Sequence, residues 1–354
     1  MTDLHLHFDG AISTANARHL ATLQGIREYR DADGVMRPIP ADDAGLTRAL
    51  RLPEGSRDLN DFLKCFALPN ALLKTREGIE EGMFTLCEEQ RALGLDYAEI
   101  RFAPQLSVAD KTDPRTLCEP IRSQRAAVEA ALAGKRRSAL KTQLILCCMR
   151  GAAEAENRET VEVAAEFLGR GVSAIDLAGA EALFPTKDYA ELFRYANDLA
   201  IPFTIHAGEA AGPESVSAAL DFGARRIGHG VRALEDMSVV RRLAENKIPL
   251  ELCPTSNVQT GVFRTLAEFP IRQLLDAGVI VTINSDDPSV CGTNVVEEWR
   301  RLTAAIPLSA SEIKLICPKS ASFITGTNHI VDGGRLFMYQ PYQATATAPY
   351  CAVK

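Results

Sequence analysis

Short, continuous apolar runs recur along this chain, and most are followed by a segment with the apolar spacing of an amphipathic helix. The runs fall at residues 3–7, 97–102, 142–148, 173–177, 202–206, 226–229, 249–253 and 279–284. A strand with one wet face alternates polar and apolar residues, whereas runs without that alternation suit parallel strands covered by helices. Segments 116–133, 156–170, 189–199, 237–246 and 271–277 supply helical patterns, with Gly171 and Gly278 placed as helix C-terminal glycines. Some eight β-then-α units without a second compositional regime predict an α/β fold, a single closed (β/α)8 barrel of TIM type. A doubly wound open sheet is the alternative.

One connection breaks the rhythm. Residues 8–96 separate the first run from the second, too long a stretch for a structureless loop. Helical patterns at 13–24, 60–67 and 71–93 make it a helical insertion after strand one, spanning about residues 11–95. It lies on the side of the barrel where loops form active sites. A length of 354 residues suits one barrel, which places a single domain at 1–339 and a poorly ordered tail at 340–354. The formal net charge of −7 speaks against non-specific nucleic-acid binding, which calls for a basic face. No apolar run is long enough to span a bilayer, and the first residues lack the pattern of a secretory leader, so a cytoplasmic protein is expected. The nine cysteines form no C-x-x-C pair, which makes them small buried hydrophobes rather than a disulfide framework or a cysteine zinc site.

Chemistry enters where polar groups end apolar strands. His5 and His7 share one face of the first strand; His206 ends another, His229 the next, and Asp286-Asp287 follow the last. Singly, each has an ordinary explanation: a satisfied core histidine, a turn begun by Asp-Pro, or, for Glu209, a carboxylate at a helix N-terminus. Jointly those explanations fail, because in a parallel barrel all these strand ends meet on the rim where active sites lie. Four of the six histidines fall there. Imidazole nitrogens plus one carboxylate oxygen form the donor set of a catalytic zinc ion, and such an ion makes hydroxide available at neutral pH. Glu209 and the remaining His229 are then the candidates for proton donor and water activator.

Four segments carry a resemblance: His5-Leu-His-Phe-Asp-Gly10, Ile205-His-Ala-Gly-Glu209, Ile227-Gly-His-Gly230 and Ser285-Asp-Asp-Pro288. With 97–104, 175–181 and 252–257 they resemble, in order and as far as about Trp299, the adenosine deaminase family of the metal-dependent amidohydrolases. The resemblance implies hydrolysis of the 6-amino group of adenosine or 2′-deoxyadenosine, with one Zn2+ held by His5, His7, His206 and Asp286. It makes Glu209 the donor of a proton to purine N1, His229 the group that orients the attacking water, and Asp286 an acceptor of its proton. Asp287 would meet N7, the Gly179 N–H would meet N3, and Asp9 would meet a ribose hydroxyl. Asp at position 9 favours a nucleoside substrate over adenine or a modified nucleotide, where relatives tend to carry Glu or Asn.

Two features depart from the family pattern. The chain begins almost directly on the first strand, and from about Cys317 it reads unlike the relatives' closing helices. The run Ile324-Thr-Gly-Thr-Asn-His-Ile-Val-Asp-Gly-Gly334 is similar to the closing segment of short-chain dehydrogenases, but no G-x-x-x-G-x-G loop precedes it. It is an atypical tail, not a second activity. The other readings are a deaminase of adenine or another 6-aminopurine, and a non-catalytic nucleoside binder. A binder has no use for Glu209 and His229 together, and a two-metal hydrolase would need a bridging lysine that this chain does not place at the end of the fourth strand.

Overall fold

The computed structural model describes residues 1–56, 59–109, 119–316, 329–332 and 335–338. Eight parallel strands build the centre: β1 (Thr2–His7), β2 (Tyr97–Phe102), β3 (Lys141–Met149), β4 (Val172–Ala178), β5 (Thr204–Ala207), β6 (Arg226–His229), β7 (Leu250–Leu252) and β8 (Val281–Ile283). They pair in chain order, β1 to β4 and β5 to β8, as two four-stranded halves. Single parallel bridges join the halves, Ile175 with Phe203 and Leu6 with Asp286, which closes the barrel. At the second seam His7 N–H donates to Asp286 O and Asp286 N–H to His5 O, both at 2.8 Å. Closure therefore fixes the Asp286 backbone against the strand that carries His5 and His7.

The strands lie within a residue or two of the apolar runs, because both faces are covered: β2, β4, β5 and β6 are buried at every position. Helix limits shift more, and for local reasons. The helix expected over 116–133 runs Gln124–Arg136, since Pro120 cannot sit inside a helix and the Ser123 side chain accepts the Ala126 N–H as N-cap. The helix expected over 156–170 is Glu154–Phe167. Gly169 (φ 71°) turns the chain after it, and Gly171 (φ 120°) leads into β4 instead of ending the helix. Helix Pro213–Phe222, begun by a proline and stopped by Gly223 at φ 94°, lies beyond the segments read from periodicity.

The insertion folds as helices Thr14–Gln24, Asp43–Leu50, Leu59–Lys64, Ala67–Leu72 and Arg76–Ala92, with a small hairpin of Glu28–Arg30 and Met36–Pro38. The pattern over 71–93 breaks at Thr75, whose side chain caps the last of these helices through the Gly78 N–H. Cys65, Cys87, Cys147, Cys148, Cys253 and Cys291 are free and buried, as expected; Cys118, Cys317 and Cys351 lie outside the described residues. Beyond Ile316 the described residues form one antiparallel hairpin, His329–Asp332 with Arg335–Met338, and the expected tail at 340–354 lies outside them. Among the described residues no helix is long and apolar enough to cross a membrane.

Candidate active site

A pocket opens at the C-terminal rim of the barrel, and its walls include His7, Asp9, Gly179, His206, Glu209, His229, Asp286 and Asp287. His5 lies beneath them, fully buried. All nine residues singled out in the sequence therefore meet in one place. The helices of the insertion supply part of the rim. Phe62 packs on Leu52, Cys65, Val290 and Cys291, and with Leu63 and Phe66 it also lines the pocket.

At the floor, three imidazoles turn one nitrogen each to a common point. His5 Nε2 is 3.0 Å from His206 Nε2 and 3.3 Å from His7 Nε2, and His7 and His206 are 3.2 Å apart. Asp286 Oδ1 stands 3.1 Å from His5 Nε2 and 3.5 Å from His7 Nε2. His5 Nδ1 lies 2.7 Å from Glu251 Oε2, a carboxylate that only accepts, so His5 carries its proton there and bares a lone pair on Nε2. His206 Nδ1 is 2.8 Å from Asp176 Oδ2, off the ideal N–H direction but with the same consequence. Lone pairs and a carboxylate facing one another at such distances repel unless a cation sits among them.

The donor set fits a zinc-type ion. Nitrogens bound at about 2.0–2.1 Å in a tetrahedral arrangement stand about 3.3 Å apart, the spacing found here. Burial pushes His206 down to about 4 and lowers His7 as well, so both are the neutral ligands a metal needs. Against burial and Arg101, Asp286 and Glu251 raise His5, the mark of a field that favours positive charge at this point. Gly228 makes the convergence possible: a Cβ there would stand 3.0 Å from the His5 ring and 3.2 Å from His206 Cα. His229 and Asp286, at φ 59° and 61°, hold left-handed backbone that non-glycine residues rarely adopt, and such strain concentrates at functional sites.

Above the floor, His229 Nε2 is 3.6 Å from Glu209 Oε2 and 3.9 Å from Asp286 Oδ2. Asn257 Nδ2 stands 3.1 Å from His229 Nδ1, so with the amide donating, His229 presents an Nε2–H to the pocket. Burial raises the Glu209 carboxyl above its ordinary value, and the charges of Asp286 and Glu181 add to the effect against His229. Asp286 stays well below the carboxylate range despite burial, because His229 and His5 face it. Asp287 is driven well above that range by burial and by Asp286, and Asp9 rises to about 6 through burial. Asp9 Oδ1 and Asp287 Oδ1 are both buried without a protein partner. Gly10 admits Asp287 so closely that a Cβ there would fall 1.7 Å from Asp287 Oδ1.

Sequence reasoning passed over the charged layer beneath. Arg101 donates to Asp176 (2.9 Å), Glu251 (2.7 Å) and Leu4 O (2.8 Å), while Arg226 bridges Glu251 and Glu99. All five side chains are fully buried. The signal was present as Glu99, Arg101, Asp176, Arg226 and Glu251 inside otherwise apolar strands, since charges there require partners.

Comparison with known proteins agrees with this geometry. The family model described as adenosine deaminase matches residues 1–325. An adenosine deaminase of Haemophilus ducreyi is 43% identical over 335 residues, 91% of each chain. One of Enterococcus faecalis is 34% identical, with 88% of each chain covered. Among solved structures, adenine deaminase from Arthrobacter aurescens superposes with a TM-score of 0.73 at 28% identity, covering 89% of this chain and 90% of that one.

Proposed function

The chain belongs to the adenosine deaminase family, and from that membership and the pocket geometry we propose that it hydrolyses adenosine and 2′-deoxyadenosine to inosine and 2′-deoxyinosine, releasing ammonia. The observation that carries this reading is the convergence of three imidazole nitrogens and Asp286 beneath Glu209, whose carboxyl is raised above its ordinary value. His5, His7, His206 and Asp286 would hold one zinc ion. When bound, zinc lowers the pKa of a coordinated water to about 7 and so supplies a nucleophile at neutral pH.

The chain's own groups do the rest. Glu209, whose carboxyl burial shifts toward the protonated form, gives a proton to N1, which makes C6 electrophilic. His229 donates from Nε2 to the oxygen of the attacking water and fixes its approach. Asp286, ionised beside it, takes up the proton that water loses. N7 is an acceptor, so its partner must carry a proton, and Asp287 retains one because burial and Asp286 oppose its ionisation. Gly179, at φ 103° on the pocket wall, brings a bare backbone N–H toward N3. The Asp9 carboxylate, whose Oδ1 has no protein partner, accepts from a ribose hydroxyl and repels a 5′-phosphate. Ammonia release from adenosine, 2′-deoxyadenosine, adenine and AMP tests the assignment. Both nucleosides should be turned over far faster than AMP and faster than adenine; a preference for adenine or AMP overturns it.

A further inference from the structure

The Glu209 carboxylate has little to hold it from its own end. Its described hydrogen-bond contacts are long, 3.3 Å from Thr260 Oγ1 and 3.4 Å from Asn257 Nδ2, and its approach to His229 is 3.6 Å. Contacts of that length do not fix a rotamer to the tolerance proton transfer demands. The aim of the side chain must therefore come from the backbone beneath it, the turn between β5 and helix Pro213–Phe222.

That turn is gathered onto one buried carboxylate. Glu181, three residues past the end of β4 and 4% exposed, accepts four successive backbone N–H groups. Oε1 takes Gly208 (2.7 Å), and Oε2 takes Glu209 (3.1 Å), Ala210 (2.7 Å) and Ala211 (2.9 Å). The Ser215 hydroxyl, from the first turn of the helix, donates to Oε1 as well. A concave row of amides of this kind is an anion cradle, and here the anion is built in. Gly208 permits it, at φ 72° and with a Cβ position only 2.5 Å from Val216 Cγ2. The same knot reaches the strand end: Ser215 Oγ meets Thr186 Oγ1 at 2.6 Å, and Arg150 donates to Thr186 Oγ1 (2.8 Å) and to His206 O (2.7 Å).

We propose that Glu181 is a positioning residue for the deamination reaction, whose carboxylate holds the Gly208–Ala211 turn so that Glu209 stays aimed at the ring nitrogen of the bound base. The inference rests on the assignment of Glu209 as proton donor. Burial alone would raise the Glu181 carboxyl, but Ser215 and the amides hold it below the usual value, so the acceptor is charged and each bond is strengthened. Glutamine cannot replace it. Five donors face the two oxygens, and an amide nitrogen at either place confronts N–H or O–H groups with its own hydrogens.

The test is a double-mutant cycle on the metal-loaded full chain with adenosine as substrate. Glu181→Gln should lower kcat by on the order of 10–100-fold, the scale of a misplaced catalytic group, with KM and metal content within about threefold of the parent. In a Glu209→Gln background, where no proton donor remains to be positioned, the same change should cost less than about twofold. Ser215→Ala, which removes one of the five bonds, should lower kcat less and should likewise lose its effect when Glu209 is glutamine. It decides the matter if Glu181→Gln does not fold. A kcat for Glu181→Gln within twofold of the parent, or an equal loss in both backgrounds, would show that Glu181 only supports the fold. Failure of the parent itself to release ammonia would instead overturn the functional assignment.

Discussion

Glu251 concentrates more of this architecture than any ligand candidate, and Glu251→Gln makes its role measurable. Its two oxygens sit against His5 Nδ1, Arg101 Nη2, Arg226 Nε and Thr204 Oγ1, all donors. Glutamine retains one acceptor and turns an amide N–H2 toward either Arg226 or the pair His5 and Arg101. In the first case the buried Arg226 guanidinium loses one of its two carboxylate partners and keeps only Glu99. In the second, His5 must move its proton to Nε2 to accept from the amide, which removes the lone pair that faces His7 and His206. Breaking one partner of a buried ion cluster costs about 3–5 kcal/mol, which in a chain of this size lowers the melting temperature by roughly 4–7 °C. Loss of a carboxylate behind a ligand histidine weakens metal binding about 10–100-fold, or about 1.4–2.7 kcal/mol. Chelator competition at fixed pH reads the second effect and urea unfolding of the metal-free protein reads the first. A Glu251→Gln protein with unchanged metal affinity and an unmoved unfolding midpoint would refute this account of the floor.

Glu209→Gln keeps shape but not the transferable proton, so kcat should fall by about 10²–10⁴-fold with metal content unchanged; near-normal turnover would reassign the donor. Asp9→Ala should lower kcat/KM for adenosine while leaving adenine almost unaffected, and an equal loss on both would remove Asp9 from sugar recognition. Lys135 is pushed down to about 8 by burial, with Nζ donating to Thr142 O and Gly171 O. The unfolded chain keeps the ordinary, higher value, so between the two it binds the extra proton and stability rises with pH. In urea unfolding the parent should gain on the order of 1–3 kcal/mol over Lys135→Met between about pH 8 and about pH 10; a difference flat across that window would contradict the burial argument.

The strands and the site were legible for one physical reason. Polar groups at the ends of buried strands cannot be accidental, and a parallel barrel brings all those ends to one rim, so His5, His7, His206, His229 and Asp286 could be gathered without coordinates. Asp9 and Asp287 followed from the resemblance, and the structure adds the reason they suit a ligand: each has a buried oxygen without a protein partner. Helix limits were less legible because caps and prolines decide them, as Ser123 and Pro120 do for Gln124–Arg136. Glu181 was out of reach. Its meaning lies in four amides from a different loop, and backbone donors leave no trace in residue identity.

One zinc ion on His5, His7, His206 and Asp286 is what we propose makes this chain a deaminase of adenosine. Zinc titration of the metal-stripped protein, with ammonia release from adenosine as the readout, tests it most directly. The account predicts negligible release without metal, a linear rise and a plateau at one zinc per chain, and no recovery for His206→Ala across the same range. Full release from the stripped protein, or a break at two ions per chain, would contradict it.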